Sequence, residues 1–311
     1  TGLPKSIVHS SGGTLIQHMK ELKFHCDLKR EDTIFYFTTC GWMMWNWLIS
    51  SLSLGSTVVL YDGSPFYPNG KEFWKLTHDL DITIFGTSAK YIDACKEHAI
   101  KPSEFIDLKK LRLILSTGSP LVEENFDFVY KNIKKDVHLA SISGGTDIIS
   151  CFVLGSPNLP VTKGELQCRG LGMDVHAFDQ NGNSIVDRKG ELVCVSAFPS
   201  MPIYFWNDEN GEKYYNAYFS TYPNIWHHGD FIRISKNGSV KIYGRSDATL
   251  NPGGVRIGTS EIYRIVESMD VIEDSLVIGQ EWNGDQRIIL FVIMKDGSSL
   301  NKEIRTIYFG Q

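Results

Sequence analysis

The sequence predicts an α/β protein in which a doubly wound, mostly parallel sheet passes into an antiparallel β annex and then into a small α+β domain. Three observations predict it. Early in the chain, "DTIFYFTTCGWMMWNWLISSL", "ITIFGTSAKYIDACKEHAI" and "LRLILSTGSPLVEENFDFVYKNI" each run from a short β-branched stretch through a polar or glycine turn into a helical pattern, the alternation that builds parallel sheets. After about residue 160 the pattern changes to short strands with tight turns, "KGELQCRG", "MDVHAFDQNGNSIV", "GELVCVSA" and "DFIRISKNGSVKIYGR", where Asn181-Gly182 and Asn237-Gly238 signal hairpins. From Ser260, read as a helix cap, "SEIYRIVESM" leads into a third hairpin that turns at Asn283-Gly284. The domain boundary is placed near Asp247, giving a large domain over 1–246 and a small one over 247–311.

Composition bounds the function classes. A chain of 311 residues with 42% hydrophobic content buries a sizeable core, and its length favours two domains. A net charge of −5 and a pI near 6.0 argue against a nucleic-acid or anionic-membrane surface, so any polyanionic partner should be small. Six cysteines without a CxxC pair fit a reducing, cytosolic setting. The apolar stretch "CGWMMWNWLISSLSLG" at 40–55 is too short and interrupted to cross a bilayer and is expected as a buried helix. The opening residue, Thr1, is not Met, so the chain is expected to be a piece of a longer protein.

In a doubly wound sheet ligands collect at the carboxyl ends of the strands, which singles out "TTCGW", "GTSAK", "STGSP" and "SGGTD". Each has a plain structural alternative. "TGLPK", residues 1–5, reads as the tail of a phosphate loop with Lys5 as its point charge, or as a terminal turn with a solvated lysine. "LSTGSPLVEE" places Ser119 as N-cap, Pro120 at the first helical position and Glu123 and Glu124 in the first turn. The same turn exposes the Gly118 backbone to a flat ring such as adenine. In "SISGGTDI", Thr146 can hydrogen-bond phosphate and Asp147 can ligate Mg²⁺ shared with phosphate oxygens; a simple Asx turn is the alternative. "IWHHGDFIRI" puts Asp230 at a strand start, as a ribose acceptor or a strand-end cap. His227 and His228 are adjacent, so in a strand they face opposite ways and do not suit one metal. "YGRSDATLNPGGVRIGTSEIYR" sets Arg245 and Arg256 on either side of Gly253 and Gly254, which suits phosphate or ribose as well as a strand-to-helix connection.

Taken in order, "TGLPK", "STGSP", "SGGTD", "HHGD" and "GRSDATLNPGGVRIGTSEI" resemble the adenylate-forming superfamily of acyl-CoA synthetases and adenylation domains. Longer stretches, "TGLPKSIVHSSGGTLIQH", "GWMMWNW", "VLYDGSP", "ILSTGSPL", "SISGGTDIISCF", "FWNDENGEKY" and "GRSDATLNPGGVR", are most similar to the branch of that superfamily whose acid is acetoacetate. The resemblance covers nearly the whole chain. It implies a two-step cytosolic ligase: a carboxylate attacks the α-phosphate of ATP to give an acyl-adenylate and pyrophosphate, and coenzyme A then displaces AMP. It further implies that Thr1, Gly2 and Lys5 belong to the phosphate loop, that Gly118, Ser119 and Pro120 hold adenine, and that Gly144, Gly145 and Thr146 lie against nucleotide. Asp147, standing where relatives usually carry glutamate, is implied as the Mg²⁺ ligand. Asp230 would take the ribose hydroxyls, Arg245 ribose or phosphate, and Arg256 phosphate. Asp247 is implied as the hinge, with Gly253 and Gly254 as the passage for coenzyme A.

Similar acetyl-CoA synthetases carry an acyl-pocket tryptophan at the position of Gly144, so its absence is expected to open room for acetoacetate, lined by Trp42, Met43 and Met44. Two departures stand out: the phosphate loop lacks its upstream half, and the family's late catalytic lysine has no counterpart before Gln311. A ligase for another short or medium acid, or a non-catalytic piece that at most binds nucleotide, are the alternatives.

Overall fold

The structure, a computed structural model, describes residues 6–246, 249–250, 257–282 and 285–300. After β1 (Ile7–Val8) and α1 (Ser11–Lys20), the chain alternates strand and helix: β2 (Thr33–Tyr36), α2 (Met44–Ser50), β3 (Thr57–Val59), α3 (Glu72–Asp79), β4 (Ile84–Ser88), α4 (Ala89–Glu97), β5 (Leu113–Thr117), α5 (Glu123–Phe128) and β6 (His138–Ser141). The five strands form one sheet in the order β3-β2-β4-β5-β6, with every pair parallel. This is the parallel sheet the alternation predicts.

Its strands are apolar on both faces because both faces are covered. Phe35, Phe85, Ile114 and Leu139 point into one cluster with Phe73 and Trp74 of α3 and Tyr91 and Ile92 of α4. Their neighbours Ile34, Tyr36, Ile84, Leu113 and Leu115 point the other way, onto Leu22 and onto Met44, Trp47 and Leu48 of α2. The 44, 47, 48 spacing gives α2 its buried stripe, so the apolar run at 40–55 does hold a buried helix. Among the described residues no helix is long and apolar enough to cross a membrane.

Connections from β2 run to β3 on one side, while those from β4 run to β5 on the other. Between β2 and β4 the loops therefore part, which is the switch point where open α/β sheets form a crevice.

The annex begins with β7 (Ser143–Gly145), β8 (Ser150–Leu154) and β9 (Cys168–Arg169), an antiparallel three-stranded sheet. There follow β10 (Val175–Phe178), β11 (Ser184–Ile185), β12 (Lys189–Cys194), β13 (Tyr204–Phe205), α6 (Glu212–Tyr218), β14 (Trp226–Ile234) and β15 (Val240–Arg245). β13 pairs with β1, and a five-stranded sheet has the order β11-β10-β12-β14-β15. The two Asn-Gly turns are hairpins: Gly182 and Gly238 take φ of 78° and 88°, which glycine alone adopts without strain.

Three expectations need correction, the third at Ser260 in the second unit. The helix after β5 starts at Glu123 with extended Val122 before it and no side-chain cap, so Ser119 is not an N-cap and Pro120 is not helical. Leu121 anchors in the core with Val122 extended after it, and the residue before a proline already disfavours the α region. Asp230 lies in the middle of the nine-residue β14 rather than at its start, because the inward alternation begins at Trp226.

By internal contacts the chain divides into two units, one holding the chain up to His228 with Ile232–Ile242, the other Gly229–Phe231 with the chain from Tyr243. In the second unit β16 (Thr249–Leu250) pairs with β17 (Ile257–Gly258), and α7 (Thr259–Val266) precedes the antiparallel pair β18 (Ile272–Trp282) and β19 (Asp285–Met294). Ser260 is thus the second residue of α7 and not its cap. Val266, Met269 and Ile272 form a small core against Leu290, Val292 and Met294.

Candidate nucleotide site

Lys5, Thr1, Gly2, Asp247, Gly253, Gly254 and Arg256 lie outside the described residues. The rest of the predicted site divides between the two units.

In the first unit, the end of β5 forms a shelf. Gly118 has φ of 91°, the left-handed side of backbone space that disfavours any side chain. The direction its Cβ would take meets the Ser88 side chain and Trp42 Cζ2, each at 3.9 Å. The loops after β2, β4 and β5 therefore meet at the switch point. Gly118, Ser119 and Pro120 are exposed there, leaving backbone open to a flat ring. Thr117 Oγ1 donates to Ile142 O at 2.8 Å, which joins the shelf to the segment leading into the second loop.

That second loop is β7 and the 3₁₀ turn Thr146–Ile148. Thr146 is exposed and Asp147 half-buried. The Tyr218 hydroxyl donates to Asp147 Oδ1, and Tyr218 is held by a stacked Trp226, centroids 3.8 Å apart. Sequence reasoning missed Tyr218, since "EKYYNAYF" offers three tyrosines and no spacing that selects one. His9, beside Asp147, has its pKa lowered by burial, against the opposing pull of its Nδ1–H bond to Ser200 O and of the Asp147 charge.

Gly145 is required by a close approach: a Cβ there would lie 2.6 Å from His228 Cε1. His228 faces inward against Phe152, while His227 points outward to Glu191 Oε2 at 2.9 Å. The two rings go to different neighbours, as adjacent positions of a strand require.

Gly144 changes the argument about acyl room. Its Cβ direction runs into β8, 1.9 Å from Ser150 O and 2.5 Å from Cys151 Cα. With this backbone the absence of an indole opens no space at that position, because the neighbouring strand fills it. Of the proposed lining residues, Met44 is 1% exposed and belongs to the core. Trp42 and Met43 are half-buried and stay available at the end of β2.

In the second unit, Arg245 Nη1 lies 3.7 Å from Asp230 Oδ1, with Asp230 buried and the guanidinium about half exposed. A buried carboxylate beside a fork-shaped cation is a pair suited to hydroxyl and phosphate oxygens.

Among the described residues no group of three or more His, Cys, Asp or Glu side chains could hold a metal ion. A magnesium ion here would take Asp147 from the protein and its remaining ligands from phosphates and water. That donor set fits this ion.

A doubly covered parallel sheet whose carboxyl edge carries an exposed glycine shelf and a hydroxyl-carboxylate turn is the arrangement in which open α/β folds place their ligands. Residues 1–205 match the AMP-binding enzyme family, and the chain belongs to it. It is 56% identical over 304 residues to an acetoacetyl-coenzyme A synthetase of Rhizobium meliloti (strain 1021), covering 98% of this chain and 47% of that protein. It is 50% identical over 306 residues to acetoacetyl-CoA synthetase of Mus musculus, covering 98% and 46%. The solved acetoacetyl-CoA synthetase from Streptomyces lividans superposes with a TM-score of 0.92 at 45% identity, covering 98% of this chain and 47% of that one. The chain thus spans about half the length of the relatives it matches.

Proposed function

We propose that this chain is the nucleotide-handling part of an AMP-forming acid–thiol ligase that joins acetoacetate to coenzyme A at the expense of ATP. The observation that carries the reading is the joined pair of loops beyond the carboxyl ends of β5 and β6. The Gly118–Pro120 shelf and the Thr146–Asp147 turn are tied through Thr117 and Ile142, a spacing of roles that suits adenine on one and phosphate on the other. The names of the relatives supply the acid and the thiol.

In this reading Gly118, Ser119 and Pro120 offer backbone to adenine, Thr146 donates to phosphate, and Asp230 and Arg245 take ribose oxygens. Lys5, with Thr1 and Gly2, and Arg256 supply charge and donors to the phosphates. Asp147, oriented by Tyr218, would hold Mg²⁺, which neutralises phosphate charge when bound. Trp42 and Met43 line the acid, Gly253 and Gly254 pass the thiol arm, and Asp247 is the pivot between the half-reactions. All six cysteines are free thiols, which suits a reducing cytosolic compartment.

Acid-dependent exchange of pyrophosphate into ATP, run on the full-length gene product with a panel of short and medium acids, tests it. Exchange should be greatest with acetoacetate. Preference for another acid would reassign the substrate, and no exchange together with no calorimetric ATP·Mg²⁺ binding would end the ligase reading.

A further inference from the structure

The polar face of α1 is turned inward. Gln17, His18 and Glu21 are wholly buried, while Leu15 and Ile16 are 40% and 60% exposed. Burying polar groups costs free energy unless each finds a partner, and here the partners lie on two site-bearing elements. Glu21 Oε1 accepts from Gln17 Nε2 at 2.9 Å, Ser150 Oγ at 2.5 Å and Cys151 N at 3.3 Å. Its Oε2 accepts from Trp47 Nε1 of α2 at 2.9 Å. His18 Nε2–H donates to Ile149 O at 2.5 Å, and its Nδ1 is 2.9 Å from the Ser50 hydroxyl at the end of α2.

Ile149 is the second observation. It is β-branched, yet it sits in the left-handed region at φ 49°, ψ 35°, two residues past Asp147. Such a conformation is costly and persists only where its surroundings hold it. The carbonyl of this same residue is the one His18 grips.

We propose that His18 and Glu21 are positioning residues that hold the Thr146–Ser150 turn in one conformation and thereby aim Thr146 and Asp147 at a phosphate-bound divalent cation. This rests on the ligase reading for what the turn does. A buried carboxylate with four donors adds little net stability over an apolar replacement; what it adds is a fixed geometry, linking α1 to the turn and to α2.

The test compares His18→Ala, His18→Gln and Glu21→Gln in the full-length gene product, with Asp147→Asn as reference. In His18→Gln the new side-chain amide can replace the Nε2–H donor, whereas the methyl group of His18→Ala cannot. In hydrogen–deuterium exchange, amides of 143–151 should exchange on the order of tenfold faster in His18→Ala and Glu21→Gln, and return toward wild type in His18→Gln. In pyrophosphate exchange, the half-saturating Mg²⁺ concentration should rise roughly 10- to 100-fold in His18→Ala, the cost of losing a support behind a metal ligand. Wild-type exchange of 143–151 in both His18→Ala and Glu21→Gln overturns the proposal. So does a His18→Gln variant no better than His18→Ala. If Asp147→Asn leaves the Mg²⁺ dependence unmoved, the role given to Asp147 fails, and the deuterium exchange alone decides the positioning claim.

Discussion

The shelf at Gly118–Pro120 and the turn at Thr146–Asp147 stand a few residues apart through the Thr117–Ile142 bond, yet they are built by opposite means. The shelf rests on shape: a left-handed glycine, a proline, and Leu121 driven into the aromatic core. The turn rests on hydrogen bonds, with His18, Glu21 and Tyr218 fixing its backbone and its carboxylate. Packing tolerates small losses by relaxing, whereas a buried polar network fails when one member is left unpaired. The two loops should therefore respond to different insults.

The largest expected effect is on the shelf. Leu121→Ala removes its anchor and should cost about 2–5 kcal/mol in urea unfolding, with deuterium uptake rising at 116–122 before 143–151. Gly144→Ala comes next. It drives a methyl into the β8 backbone and should cost about 1–3 kcal/mol, measured in the same titration. A Gly144→Ala protein with native stability would show that the strand yields, and would return the acyl-room argument to this position.

Acid separates the loops without any mutation. His18 and His25 are held below their ordinary 6.5, burial being the main cause against the raising pull of their carbonyl bonds to Ile149 and Gly155. Both are neutral when folded, and the unfolded chain takes up the protons first. The stability they permit is whole above pH 6.5 and is lost as pH falls from there toward the depressed folded values, by at most about 1.4 kcal/mol per pH unit for each proton. Local opening should thus increase at 143–151 as pH falls below 6.5 and leave 116–122 unchanged.

Gly118→Ala should cost about 1 kcal/mol, since the space is open and only the backbone angle resists; activity should fall more than stability. Smallest of all, Arg245→Met should change stability by less than about 1 kcal/mol, as half-exposed ion pairs do, while weakening ribose recognition in a nucleotide-binding assay.

The parallel half was legible because a strand buried on both faces must be spelled as an apolar run, and the glycine and hydroxyl turns after β2, β4, β5 and β6 marked its carboxyl edge. Local spelling misled where a distant core decided. Ser119-Pro120 reads as a helix start, but Leu121 has to reach Phe126 and its neighbours, so the helix waits for Glu123. The support behind the turn was not legible at all. "LIQHMKE" looks like an ordinary helix with its apolar residues inside, and only tertiary pairing with Ser150, Ile149 and Trp47 inverts it.

The thiols carry a practical consequence. Burial pushes Cys95 and Cys194 up to about 11 and raises Cys26 and Cys151 as well, so these four resist alkylation in the native protein. Cys40 is exposed on the loop after β2, two residues before Trp42. Cys168 is half-buried, and burial raises its thiol too, so a maleimide dye added at neutral pH would favour Cys40, giving an optical reporter on the loop after β2 with no engineered residue.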